Sequence, residues 1–207
     1  LNFVDYILIG DSYVEGACVK TENTLSSKVA YFTKKNALNL GRGGTGPLLN
    51  LAILKEYSNI TSGTNVLWFY YEGNDIKEMQ HELKNDTLIQ YLHNEAFTQN
   101  LKNQVDTINN DLLEYIKIKI NDYKKVKDNS EDNYNDYSFT KILKLFNIRY
   151  LLTLFLSDIL DKKSSPDNEL EDMILIIDEA KSFVEKKGGN FYFIYLPTYN
   201  RYIRFNQ

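Results

Sequence analysis

The sequence holds a single cysteine, Cys18, and only two histidines, His81 and His93. One cysteine excludes an intrachain disulfide and a cysteine-rich zinc module. The two histidines belong to no ligand spacing, so no metal site is expected. No uninterrupted apolar run of about twenty residues is present, so no transmembrane helix is evident. A basic excess is missing too: 24 Lys and Arg stand against 28 Asp and Glu, for a net charge of −4. That balance gives no reason to expect a nucleic-acid partner. The chain starts at Leu1 rather than Met and enters an apolar strand almost at once. The expectation is a natural start upstream, and neither cytoplasm nor cell envelope is singled out as the compartment.

What is present is ordinary for a folded domain. Hydrophobic residues make up 43% of 207 residues and charged residues 25%, enough to bury one sizeable core. Phe3–Ile9 reads as a buried strand that stops at Gly10-Asp11-Ser12. A helix follows from about Thr24 to Lys35, with Leu25, Val29 and Phe32 on one face. Ala37–Leu40 is a second strand, feeding the turn Gly41-Arg42-Gly43-Gly44-Thr45-Gly46-Pro47, and Leu48–Tyr57 is helical. Asn65–Tyr71 is a third strand, ending at Glu72-Gly73-Asn74-Asp75. A helix from about Glu169 to Lys187, closed by Gly188-Gly189, leads to a fourth strand at Asn190–Leu196. Alternation of strand, turn and helix predicts an α/β fold with a parallel sheet covered by helices on both faces. In such sheets chemistry gathers at the carboxyl ends of the strands, where all three unusual turns fall.

Between about residues 78 and 165 the pattern is largely helical, so one domain over 1–207 with a helical insertion at 78–165 is expected. The apolar stretch Phe139–Leu160 is interrupted by Lys144, Arg149 and Asp158. It reads as a core-packing or lid helix rather than a membrane contact. Cys18 reads as a small buried residue.

Each turn has a plain structural reading. Asp11 and Ser12 favour helix N-caps, Asp75 can cap the next helix, and Asn74-Asp75 suits an Asx turn. The glycine turn lacks both the Lys-Ser/Thr ending of a nucleotide loop and the spacing of a dinucleotide fingerprint, so no cofactor is expected. Each turn also has a chemical reading. A serine after a buried strand presents its hydroxyl near helix N-terminal N–H groups. Glycine-turn N–H groups can face an anion, and an asparagine amide can donate to a developing oxyanion.

The three turns taken in order resemble the SGNH (GDSL-type) hydrolase family. The residues that carry it are Gly10-Asp11-Ser12, Asn39 through Gly44 in NLGRGG, and Gly73-Asn74-Asp75. Tyr13 stands where the family name has leucine, and the N-x-x-x-x-G spacing selects Gly44, with Gly43 as second choice. The resemblance covers about the first 75 residues. It implies a three-layer α/β/α sandwich of flavodoxin-like order and serine nucleophilic catalysis. Ser12 would attack the acyl carbonyl of a small-molecule or carbohydrate ester, an O-acetyl ester foremost. The Ser12 and Gly44 N–H groups and the Asn74 amide would hold the oxyanion. An O-acyltransferase is the near alternative. A non-catalytic binding or scaffold protein of envelope polysaccharide assembly is the distant one.

One block of the family is missing. No Asp is followed three residues later by His, and neither His81 nor His93 follows the last strand. The expectation is that the Asp-x-x-His block lies beyond Gln207, leaving these 207 residues weakly active or inactive. Oligomeric state cannot be read from the sequence.

Overall fold

The computed structural model describes residues 4–128 and 166–203. The chain divides into two units, residues 1–102 with 166–207, and residues 103–165. Of the second unit the described part contains one long helix, Val105–Asp128. The apolar stretch Phe139–Leu160 lies outside the described residues.

The first unit is α/β, built on a four-stranded, all-parallel sheet: β1 (Tyr6–Ile9), β2 (Ala37–Asn39), β3 (Asn65–Tyr71) and β4 (Asn190–Leu196), in the order β2-β1-β3-β4. Central β1 is short and continuously apolar. Ile7, Leu8 and Ile9 are all fully buried, as expected of a parallel strand with neighbours on both sides and cover on both faces. β3 alternates strictly: Val66, Trp68 and Tyr70 are buried, and the residues between them are half-buried. In register, Val66, Trp68 and Tyr70 stand beside Phe191, Phe193 and Tyr195 of β4. Aromatic rings therefore run in pairs along one face, with Tyr70 stacked on Phe193 and Tyr195 at centroid distances of 5.9 and 6.0 Å.

That face packs against four helices. They are α3 (Pro47–Tyr57), α4 (Asp75–Glu82), α5 (Asp86–His93) and α7 (Pro166–Lys186), counting Val105–Asp128 as α6. Leu48, Leu51 and Leu54 of α3, Met79 of α4, and Ile176, Ala180 and Val184 of α7 join Ile7, Ile9, Val66 and Trp68 in one core. Burial of each large side chain contributes roughly 1.5–3 kcal/mol. The helices at 75–93 thus belong to the sheet unit.

Shorter elements finish the unit: α1 (Ser12–Glu15), α2 (Leu25–Thr33) and α8 (Tyr199–Ile203). The Thr24 hydroxyl caps α2 by accepting the Ser27 N–H, and Lys34 ends it in the left-handed conformation. Phe32 of α2 is exposed, 77% of its surface being accessible, and it meets Tyr31 edge-on rather than the sheet. No helix among the described residues is long and apolar enough to cross a membrane.

Candidate functional site

All four strands run the same way, so their carboxyl ends share one sheet edge. The strand order reverses between β1 and β3, a position that favours ligand binding in open parallel sheets. Ser12 follows β1 and Asn74 follows β3, one on each side of that point.

The turn after β1 depends on Gly10. Its φ is +153°, and a Cβ there would lie 2.8 Å from the Phe69 carbonyl oxygen and 2.8 Å from Val14 Cγ2. Only glycine lets the chain turn this closely against β3. Buried Asp11 then caps α1, accepting the Tyr13 N–H at 3.0 Å. Ser12 is the first residue of α1 and is exposed. Its hydroxyl donates to Asp11 Oδ2 at 3.3 Å, and its own N–H has no hydrogen-bond partner among the described residues. The capping role expected of this pair thus falls to Asp11, which leaves Ser12 facing outward.

The glycine loop after β2 is built onto α1. The Asn39 side chain donates to the Val14 carbonyl at 2.8 Å and accepts the Gly41 N–H at 2.9 Å. The Arg42 N–H donates to the Gly10 carbonyl at 3.0 Å. Gly41 passes so close that a Cβ would meet Glu15 N and Val14 Cβ at 2.5 Å. Gly43 abuts the serine, and a Cβ there would lie 3.5 Å from Ser12 Cβ. Its N–H, however, is taken by Glu15 Oε2 at 2.7 Å. Gly44 has φ +75°, open space where a side chain would be, and an N–H without a partner among the described residues. Of the two glycines, Gly43 is the neighbour of Ser12 and Gly44 is the one with a free donor.

After β3, Asn74 occupies the N-cap position of α4. Its Nδ2 donates one hydrogen to Glu78 Oε1 at 2.9 Å, while buried Oδ1 has no partner among the described residues. A primary amide carries a second hydrogen, which remains for a ligand. Asp75 does not cap α4 as the sequence suggests. It is fully buried and reaches back to accept the Tyr71 N–H at 2.9 Å, closing the turn, with Oδ1 unpaired among the described residues. Burial pushes its carboxyl up to about 7. The Tyr71 hydrogen bond opposes that rise, and the charges of Asp11, Glu78 and Glu82 add to it.

Ser12 and Asn74 line one cleft of about 630 Å³, with Asp11, Tyr13, Tyr71 and residues of the 16–25 segment. Gly44 is not in that lining. Cys18 is, and it is exposed rather than buried. The reason is local: α1 is one turn long, and left-handed Gly16 ends it. The following residues are thereby carried over the cleft instead of into the core.

Neither histidine joins the site. His81 lies in the last turn of α4 and His93 ends α5; both are exposed, and neither lines the cleft. Among the described residues no group of three or more His, Cys, Asp or Glu side chains is arranged to hold a metal ion.

Three carboxylates that the sequence did not single out hold the loops. Glu15 pins Gly43. Glu82 of α4 accepts the Gly46, Leu48 and Leu49 N–H groups at 2.6, 3.1 and 3.1 Å, capping α3, whose own N-cap residue is a glycine. Glu72 accepts the Thr198 N–H at 3.0 Å and pairs with Arg201 of α8, with Nε at 2.9 Å. The Arg201 hydrogen bond, then that from Thr198, hold the Glu72 carboxyl down at about 2.

No family model, curated protein or solved structure matches the chain.

Proposed function

We propose that this protein acts on acyl esters as a serine hydrolase of the SGNH type, with Ser12 as nucleophile. The observation that carries this reading is the joint placement of Ser12 and Asn74 in one cleft at the sheet edge. Free N–H groups on Ser12 and Gly44 support it. The sheet order β2-β1-β3-β4 is that of a flavodoxin-like sheet as far as it goes, in keeping with a three-layer sandwich.

In this mechanism the Ser12 hydroxyl attacks the acyl carbonyl and the oxygen takes up negative charge. The Ser12 and Gly44 N–H groups and the second Asn74 amide hydrogen stabilise it. Each such donor typically lowers the barrier by about 3–4 kcal/mol. The acyl group passes to Ser12 Oγ, the alcohol leaves, and water releases the acid. Transfer to a second alcohol instead of water would make the same site an acyltransferase.

A serine also needs a base to become a strong nucleophile. His81 and His93 do not provide it, since neither lines the cleft. Asp11 is the group that Ser12 meets. This observation favours one second reading, a binding protein that uses the cleft without covalent chemistry. Hydrolysis of p-nitrophenyl acetate and butyrate by the protein as its own cells make it, and by its Ser12→Ala variant, separates the two. The esterase reading expects turnover that the substitution abolishes. Equal rates in both proteins would contradict it.

A further inference from the structure

The cleft beside Ser12 offers a ligand little polar surface. Its polar side chains are largely engaged within the protein. Asp11 receives the Tyr13 N–H and the Ser12 hydroxyl. Thr24 Oγ1 donates to the Thr21 carbonyl at 2.9 Å and accepts the Ser27 N–H. Asn23 Oδ1 accepts Lys28 Nζ at 2.8 Å, and Asn74 is tied to Glu78. What faces the space is mostly apolar: the Tyr13 and Tyr71 rings, then Ala17, Cys18, Val19 and Leu25.

The aromatic wall is a built feature. The two rings meet at a centroid distance of 4.8 Å, tilted by 52°. The Tyr71 ring lies over Gly73, where a Cβ would come within 2.3 Å of Tyr71 Cε1. A side chain at 73 would displace the ring, so the glycine next to Asn74 also makes room for the wall of the cleft. An acetyl group would leave most of the 630 Å³ empty, a volume in the range of sites that enclose whole small molecules.

We infer that this cleft is an acyl-chain site, and that the esters handled at Ser12 carry an unbranched acyl chain of roughly six to ten carbons rather than acetyl. The inference rests on the ester-hydrolase reading for the word acyl. The apolar character of the cleft stands without it.

The test is binding, so it does not depend on turnover. Affinities of the 207-residue protein for acetate, butyrate, hexanoate, octanoate and decanoate are measured by titration calorimetry. An n-alkanol series of matching length is measured alongside. Affinity for the carboxylates should rise about two- to fourfold per methylene up to a plateau. Cys18 is the only cysteine and lines the cleft, so alkylation with N-ethylmaleimide should fill the space and remove most of that rise. Val19→Trp should shorten the chain at which the plateau is reached. A flat carboxylate series overturns the inference. So does a rise that survives Cys18 alkylation, or one confined to the alkanols, which would put the alcohol portion in the cleft. Fluorophosphonate labelling of Ser12 is scored separately, on the protein as its own cells make it. A labelled Ser12 with a flat series rejects the acyl-chain site alone, and a rising series with Ser12 unlabelled rejects the hydrolase reading alone.

Discussion

The carboxylate of Glu15 accepts the N–H of Gly43 at 2.7 Å, joining the helix that begins with Ser12 to the glycine loop 28 residues further on. Gly43 lies against Ser12, so this bond sets how closely the loop approaches the serine and leaves Gly44 as the residue with an unused donor. Glu15→Ala should lower stability by about 1–3 kcal/mol, the cost of losing a charged hydrogen bond. Glu15→Gln, which still offers an oxygen, should lose less. Urea unfolding of the three proteins checks this, and equal midpoints would show that the bond fixes nothing.

The glycines of the loop should differ sharply in tolerance. Gly41→Ala drives a methyl group into Val14 and the Glu15 backbone at 2.5 Å, and the protein should fail to fold or lose several kcal/mol. Gly44→Ala meets nothing within 4 Å and bears only the strain of φ +75°, about 1–2 kcal/mol. Circular dichroism and thermal unfolding of the two variants test the contrast.

Asp75 makes stability fall as pH rises. Its carboxyl titrates near 7 in the folded protein against 3.8 for the free group, so between these values the folded state binds more protons than the unfolded one. Stability is therefore full below about pH 4 on this account and declines toward pH 7, by on the order of 4 kcal/mol for an ideal single group. Glu82, also pushed up by burial, acts in the same direction. Glu72 works the opposite way, its contribution being lost as pH falls from about 4.5 through 2. Urea midpoints across pH 4–8 should slope downward in wild type and flatten in Asp75→Asn. An unchanged slope in the variant would remove Asp75 as the cause.

Glu82→Ala should cost about 2 kcal/mol, since three N–H groups at the start of α3 lose their acceptor and the half-buried carboxyl leaves with the side chain. Hydrogen exchange at Leu48 and Leu49 should speed up before that of the β3 amides. Uniform acceleration across the unit would contradict a local cap.

Asn74→Ala should leave the fold intact and lower kcat by about 100- to 1000-fold if its amide holds the oxyanion. A loss confined to KM would make it a ground-state binding residue instead.

The sheet was legible because its strands are short apolar runs bounded by turn residues. Asn65–Tyr71 and Asn190–Leu196 have the bounds expected. Ser12 and Asn74 were legible as residues placed at strand ends. The carboxylates that hold the loops were not. Glu15, Glu72 and Glu82 act on residues 28 to 129 positions away, and one sequence carries no sign of such pairs. Cys18 and Phe32 misled for a related reason. Apolar character predicts burial only where a partner surface is present, and α1 and α2 do not bring one to these two positions.

The central claim is that Ser12 is an activated nucleophile. The most direct measurement is fluorophosphonate labelling of the protein as its own cells make it, followed by peptide mapping. The account predicts one adduct, on the peptide carrying Ser12, lost in Ser12→Ala and slowed in Asn74→Ala. An unlabelled Ser12 under conditions that label a known serine esterase would contradict it.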